Sequence, residues 1–338
     1  MEELKANALN NCNFVGSIIL SNRLTKIEEY AFYNCINLET VIIPETVTEI
    51  GKNAFYNCRK LETIIIPETV TKIGPSVFRY SVLSSIILPD GLTEIGEDAF
   101  CGCRNLETVI IPDSVTKIGP GAFTESVLKS IILPGRLTEI GKETFRYCRN
   151  LETVIIPEMV TKIGPGAFAD SGLKSITLPD GLTEIEKDAF CGCRSLETVV
   201  VPETVTKIGS GAFAYGGLKS ITLPYQSKEL TEIGSSTFGG CRNLESVIIP
   251  ETVTKIGPWA FALSGLKSII LPDGLIEIGE DAFRGCKNLE TVVIPEAVTI
   301  IGFNAFAFSG LKAITLPHGV EIGEGAFYKC CNLVIKYN

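Results

Sequence analysis

Twelve cysteines and a single histidine, His318, are the first residues of this 338-residue chain to test for chemistry. The pairs Cys101-Gly-Cys103 and Cys191-Gly-Cys193 have the short spacing of thiolate metal ligands, and zinc holds sulfur at ~2.3 Å in tetrahedral sets. Nucleophilic catalysis by a Ser/His/Asp or Cys/His set needs a histidine base, and only His318 is available. His318 stands where other repeats carry Asp or Glu after a proline, so it reads as a turn residue. The carboxylates recur at repeated positions and form no distinctive acid–base pair. The I-G-P-G glycines belong to a recurring turn and make no phosphate loop. The chain therefore reads as no enzyme, with no cofactor and no metal.

Cysteine position explains cysteine number. Eight of the twelve (Cys35, Cys58, Cys103, Cys148, Cys193, Cys241, Cys286, Cys330) sit three residues after a recurring phenylalanine. They are one structural position used many times. If each repeat stacks on the last at about 4.8 Å, the two Cys-Gly-Cys pairs lie about 19 Å apart and cannot share a metal. Cys58 and Cys103, at about 10 Å, are too far apart for a disulfide. Only Cys35 with Cys58, and the vicinal Cys330 and Cys331, are close enough to consider; buried thiols filling a small apolar position are the favoured reading.

The repeat itself is clearest from Ile163 to Phe213, where IGPGAF…LKSITLPDGLTEIEKDAF…LETVVVP carries one motif twice. The isoleucine that opens it recurs from Ile27 to Ile322 at spacings of mostly 23 and 22. Such regularity sets the architecture: single coils cannot bury their own side chains and gain a core only by stacking. L-E-T-V-I-I-P reads as a short half-buried strand ended by proline, which has no N–H for the ladder. T-K-I-G reads as a second short extended piece, and P-G-A-F-A as a single helical turn with proline at its first position. The repeat phenylalanines, Phe32 to Phe327, are expected to point inward as a spine opposite the sheet. Truncating Phe168 or Phe190 to Ala is expected to cost about 3–5 kcal/mol, and Phe327 less because ends fray. Residues 1–24, with Phe14 and SIIL, read as a degenerate capping coil, and residues 25–338 as the solenoid with a partial last coil.

Charge follows the same period. Before the anchoring isoleucine the sign alternates, as in Lys72, Glu94, Lys117 and Glu139; after the strand-leading leucine it alternates again, as in Glu107, Lys129 and Glu152. Stacked coils turn these into rows of opposite charge worth about 0.2–1 kcal/mol per contact, which penalise a one-coil slip. The net charge of -9 argues against a nucleic-acid binder. No apolar run approaches the ~18–20 residues of a membrane helix, and no leader is read at the amino end.

The run IGEDAFCGCRNLETVIIPDSVTKIGPGAF, residues 95–123, resembles the BspA-type, treponemal-like leucine-rich repeat, and the resemblance covers roughly residues 24–333. It implies a right-handed leucine-rich-repeat solenoid of about 14 repeats, with a parallel β-sheet on one face. Members are mostly surface-exposed or secreted proteins of bacteria and some protozoa, often associated with adhesion to host matrix or to other microbes. The resemblance supplies no catalytic residues. It implies a cell-surface or secreted scaffold for a protein or glycan partner, monomeric or weakly self-associating; the missing leader leaves a cytoplasmic location as the alternative. A structural, self-associating repeat protein is the competing class.

Three surfaces are candidates for binding. The residues midway along each strand, Ile155, Thr177 and Val200 among them, form an apolar strip of a size that soluble monomers seldom expose. One rim is basic, with Arg59, Arg104, Arg149, Arg194, Arg242 and Lys287, and the other acidic, with Glu68, Asp90 and Glu203, which suits electrostatic docking. The repeat breaks at PYQSKEL, where Tyr225, Gln226 and Lys228 belong to a three-residue expansion, and the chain's one tryptophan, Trp259, follows nearby as a candidate interface anchor.

Overall fold

The computed structural model describes residues 2–13, 16–227 and 229–337. Phe14 and Lys228 lie outside the described residues. The chain divides into two compact units, Met1–Val160 with Asp170–Leu173, and Thr161–Ala169 with Lys174–Asn338. Each is a stack of solenoid coils.

In the first unit the coil is legible from its strands. Thr63–Ile65 runs parallel to Ser85–Ile87, with Ile64 beside Ile86. Side chains alternate across a strand. Ile64 and Ile66 are therefore buried while Ile65 is 66% exposed. These front strands pair mostly in twos rather than as one continuous sheet. A three-residue strand closed by proline has few donors to offer a neighbour. The longer ladder is the two-residue T-x-I piece. Glu2–Leu4, the four-residue Leu24–Ile27 and four two-residue strands ending with Lys117–Ile118 form one six-stranded parallel sheet in the first unit. Five, from Glu232–Ile233 to Glu321–Ile322, form another in the second.

The expected helical turn is absent among the described residues; consecutive turns take its place. In the coil after Gly51, the amides of Asn53, Phe55 and Asn57 donate to the carbonyls of Pro75, Val77 and Arg79 in the next coil. Those of Ala54 and Tyr56 donate back to Gly51 and Asn53. A helix aims every amide along one axis; here alternate amides are spent between coils. Such reversals require left-handed backbone, and Asn53 and Asn57 have φ of 55° and 56°. Glycine, asparagine and aspartate tolerate that region best, and they hold most of this column, as at Asn53, Asp98, Gly166, Asp188 and Gly211, though Tyr30, Ser76, Glu143, Ser236 and Trp259 take the same backbone. The described residues of 1–24 continue this scheme, since the amides of Asn7, Leu9 and Asn11 donate to Glu29, Ala31 and Tyr33.

The phenylalanine spine forms as expected. In the first unit successive rings from Phe55 to Phe145 lie 5.4–5.6 Å apart and nearly parallel. In the second the run from Phe168 to Phe327 keeps 5.0–5.8 Å. Phe327 is half-buried, whereas Phe168 and Phe190 are buried. The cysteine column has a second duty. The thiols of Cys58, Cys103, Cys148, Cys241 and Cys286 each donate to the carbonyl of the phenylalanine one coil earlier, at 3.0–3.3 Å. In the shorter coils serine holds this position, as Ser81 Oγ on the Phe55 carbonyl shows at 2.7 Å. Left unpaired, each buried carbonyl would cost about 1–3 kcal/mol.

The charge rows sit where the alternation places them. Lys26 meets Glu49 at 3.2 Å, and Glu94 lies between Lys72 at 3.4 Å and Lys117 at 2.6 Å. The Lys117 hydrogen bond, joined by Lys72, holds the Glu94 carboxyl below the usual carboxylate range. In the second unit Lys219 meets Glu197 and Lys267 meets Glu245, both at 2.8 Å.

Each unit has one interruption of its T-x-I ladder. Lys117–Ile118 and Glu139–Ile140 fall in different sheets, as do Lys207–Ile208 and Glu232–Ile233. Both gaps lie next to a buried threonine in a column usually held by alanine, Thr144 and Thr237. Their hydroxyls donate to the carbonyls of Gly141 and Gly234, at 2.9 and 2.8 Å. A Cβ at Gly141 or Gly234 would meet nothing nearer than 3.4 Å, whereas at Gly74, beside the equally large Val77, it would lie 2.8 Å from the Ile50 carbonyl oxygen. The threonine hydroxyl on the glycine carbonyl, and not bulk alone, is therefore the wedge.

Candidate binding surfaces

In the first unit the strip is fully built. Ile42, Ile65, Ile87, Ile110, Ile132 and Ile155 are 53–86% exposed. Between them run hydroxyls: Thr153 is aligned with Ser130, and Thr63 with Ser85. A shallow groove of about 460 Å³ follows the strip over Ile110 and Ile132. In the second unit Val200, Ile248, Ile270 and Val293 are 65–74% exposed, and Thr177 and Thr222 leave polar gaps among them. Burying one such isoleucine against a partner is worth about 1.5–3 kcal/mol.

The rims are exposed as expected, but their charges are partly engaged. Glu203 accepts the Gln226 amide at 2.7 Å, and Glu68 accepts the Asp90 amide at 3.1 Å, so these rim carboxylates fix turns. On the basic rim of the first unit, Arg104 and Arg149 face one another across a notch of about 600 Å³ floored by Ser126 and Val127. Arg194, in the second unit, is exposed on its own rim.

The inserted loop is tied down on both sides. Tyr225 is half exposed. Ser227 is buried, donating to the Val205 carbonyl at 3.3 Å and accepting from Thr252. Trp259 keeps other company: it takes left-handed backbone at φ 60°, and the Arg284 guanidinium lies 5.7 Å from its ring and 5.0 Å from that of Phe308. Loop and tryptophan thus occupy different corners of the coil, not one joint site.

Chemistry is poorly served elsewhere. The described residues hold no cluster of three or more potential metal ligands. Burial pushes the thiols of Cys148 and Cys241 up to about 12 and those of Cys101 and Cys286 to about 11, away from the thiolate that attack or metal binding needs. His318 is exposed and stacks on Tyr337 at 5.7 Å. No helix is long and apolar enough to cross a membrane among the described residues.

The family pattern described as the BspA type leucine rich repeat region matches residues 2–128, 116–231 and 218–334, in six copies. This chain belongs to the BspA-type leucine-rich repeat family. A leucine-rich repeat protein of Bacteroides ovatus is similar in structure to this BspA-type chain at a TM-score of 0.87 and 31% identity, over 99% of this chain and 87% of that one. A leucine rich cell surface protein of Faecalibacterium prausnitzii is similar at 27% identity, over 99% and 83% of the two chains, with a TM-score of 0.51. The pneumococcal vaccine antigen PcpA shares the fold at 22% identity and a TM-score of 0.52, over 82% and 78%. The comparison with curated proteins found no match. Leucine-rich repeats of this kind are repeat scaffolds.

Two signals in the sequence went unread. The Asn/Asp/Gly column marks left-handed turns rather than a helix. The coil KETFRYC departs from its fellows twice, at Thr144 and Tyr147, and both departures shape the first unit.

Proposed function

We propose that the chain is a non-enzymatic binding scaffold at the cell surface or in the secreted fraction, holding a protein partner along the exposed strand strip. The observation that carries this is the row of isoleucines from Ile42 to Ile155, 53–86% exposed on the strand face of stacked coils. An apolar row of this length, flanked by hydroxyls, has the composition of an interface core with a polar rim. The cell-surface name of the Faecalibacterium prausnitzii relative supports the location. In this reading residues 1–24 cap the stack and residues 25–338 present the surface.

The test is capture of purified extracellular-matrix proteins by the immobilised chain, against a variant carrying Ile110→Lys and Ile132→Lys. Binding is expected to fall at least tenfold with unchanged melting. Equal capture by both chains refutes the strip. Light scattering at rising concentration separates the structural alternative: growth of intact chain, abolished by the same variant, would make a second copy the occupant.

A further inference from the structure

We propose that the notch between Arg104 and Arg149 is a binding site for an acidic sugar residue, a hexose ring carrying a carboxylate. This goes beyond the protein-binding strip and stands on different residues.

The notch follows from coil length. Coils with six residues from phenylalanine to the strand leucine, such as Phe100 to Leu106 and Phe145 to Leu151, bulge at the rim. The coil between them, Phe123 to Leu128, is one residue shorter and leaves Ser126 and Val127 recessed. The floor is firm, since Ser126 is 2% exposed and its hydroxyl lies 3.3 Å from the Cys148 sulfur. The walls bring Arg104, Glu125, Tyr147, Arg149 and Asn150 around a space of about 600 Å³, within the range of small-molecule sites.

This notch differs chemically from others of the same origin. At the position of Tyr147, comparable coils carry Gly102, Gly192, Gly240 or Gly285, and a Cβ added at Gly102 would strike the ring of Tyr80 folded over it. Here Tyr147 replaces the glycine and Glu125 stands where Tyr80 does, and Glu125 pairs with Arg104 at 3.5 Å. Tyr147 also sits at φ 58°, a backbone region that disfavours bulky side chains. Its ring is pinned there by Arg146, whose guanidinium lies 4.7 Å away and donates to the phenol oxygen at 3.0 Å. The left-handed backbone is common to this column, and Arg79 holds Tyr80 in the same way, so what sets this notch apart is the company of Tyr147 rather than its backbone.

The mixture of groups selects the ligand. Arg149 offers the planar fork that matches a carboxylate. Glu125, paired with Arg104 at 3.5 Å on one oxygen, keeps acceptor sites that sugar hydroxyls can bond and a second carboxylate cannot. Asn150 gives and takes with neighbouring hydroxyls, and the Tyr147 ring offers an apolar edge to the C–H groups of the sugar. An acidic peptide, with a carboxylate on every residue, would meet more repulsion from Glu125 than a sugar that carries one carboxylate among several hydroxyls.

The experiment is saturation-transfer NMR and titration of the full chain with a glucuronic-acid disaccharide and with its neutral glucose counterpart. Transfer to the acidic sugar's ring protons is expected, with at least tenfold weaker binding of the neutral sugar. Arg149→Ala should cost tenfold or more. So should Tyr147→Asn, which preserves the fold because Asn57 holds the equivalent backbone at φ 56°. Arg194→Ala and the Ile110→Lys, Ile132→Lys variant should bind as the intact chain does. No transfer at millimolar sugar, equal binding of the neutral sugar, or full binding by Arg149→Ala overturns the proposal. So does a tetra-aspartate peptide that binds in the sugar's place. Unchanged matrix capture by the Ile110→Lys, Ile132→Lys variant, with sugar binding intact, would count against the strip alone.

Discussion

Gly119 and Gly141 hold the same place in adjacent coils, yet the structure assigns them opposite responses to a single methyl group. A Cβ at Gly119 would lie 2.5 Å from the Glu97 amide nitrogen and 2.7 Å from the Gly96 carbonyl carbon, both backbone atoms. Ordinary contacts begin near 3.5 Å, so coils must separate by several tenths of an ångström and strain the ladder that Gly119 closes onto the Ile95 carbonyl. Overpacking of this kind costs about 1–3 kcal/mol. The lower entropy of unfolded alanine returns about 0.4–1 kcal/mol, leaving about 1–2 kcal/mol of net loss. At Gly141 the Thr144 wedge has already opened the gap, and a Cβ meets the Ile118 carbonyl and Thr144 Oγ1 at 3.4 Å. Gly141→Ala should therefore change stability by under about 1 kcal/mol, in either direction. Scanning calorimetry of the two variants should show Gly119→Ala melting about 2–8 °C lower, at about 2–4 °C per kcal/mol for a unit of this size. Equal melting of the two variants would refute the wedge, and adding Thr144→Ala to Gly141→Ala should create the penalty that Gly141→Ala lacks.

Two further outcomes follow from the buried thiols and the charge rows. Folded Cys148 and Cys241 hold their protons to about 12 and Cys286 to about 11, because burial penalises the thiolate. Unfolded thiols release theirs near ~8.5, so the unfolded state gains as pH rises and stability, complete below about pH 8, falls by up to ~1.4 kcal/mol per pH unit per thiol. Guanidinium midpoints under reductant should drop between pH 7.5 and 9.5, and the drop should shrink in a Cys148→Ser, Cys241→Ser, Cys286→Ser variant; an unchanged slope would show that burial does not set these protons. Reversing Lys129→Glu puts like charges on adjacent coils where Lys129 now meets Glu107 at 2.6 Å. Both side chains are more than half exposed, so the cost is expected at about 0.2–1 kcal/mol, larger at low salt and restored by Glu107→Lys. A loss indifferent to salt would remove charge from the account of register.

The repeat period, the buried column of Phe55, Phe78 and Phe100, the strand ending at Pro67 and the alternating rows through Lys72 and Glu94 were all legible before any coordinates, because each is a local pattern multiplied by stacking. The thiols too could be placed, since their fixed distance from phenylalanine forbade a framework. Their bond to the preceding phenylalanine carbonyl could not, because it joins residues 25 to 28 apart whose angle depends on how coils settle. The turn differs from its expected helix for a similar reason. P-G-A-F-A has helical composition, and only the neighbouring coil, by drawing every second amide outward, decides against the helix. Trp259 and the loop at Tyr225 looked adjacent along the chain, and the path of the coil sends them to separate corners. What the amino-acid sequence fixes is which side chains face inward and how often. Which rim residues meet across a notch, such as Arg104 and Arg149 over Ser126, is left to the three-dimensional stack, since one residue fewer in a single coil changes distances that no linear pattern records.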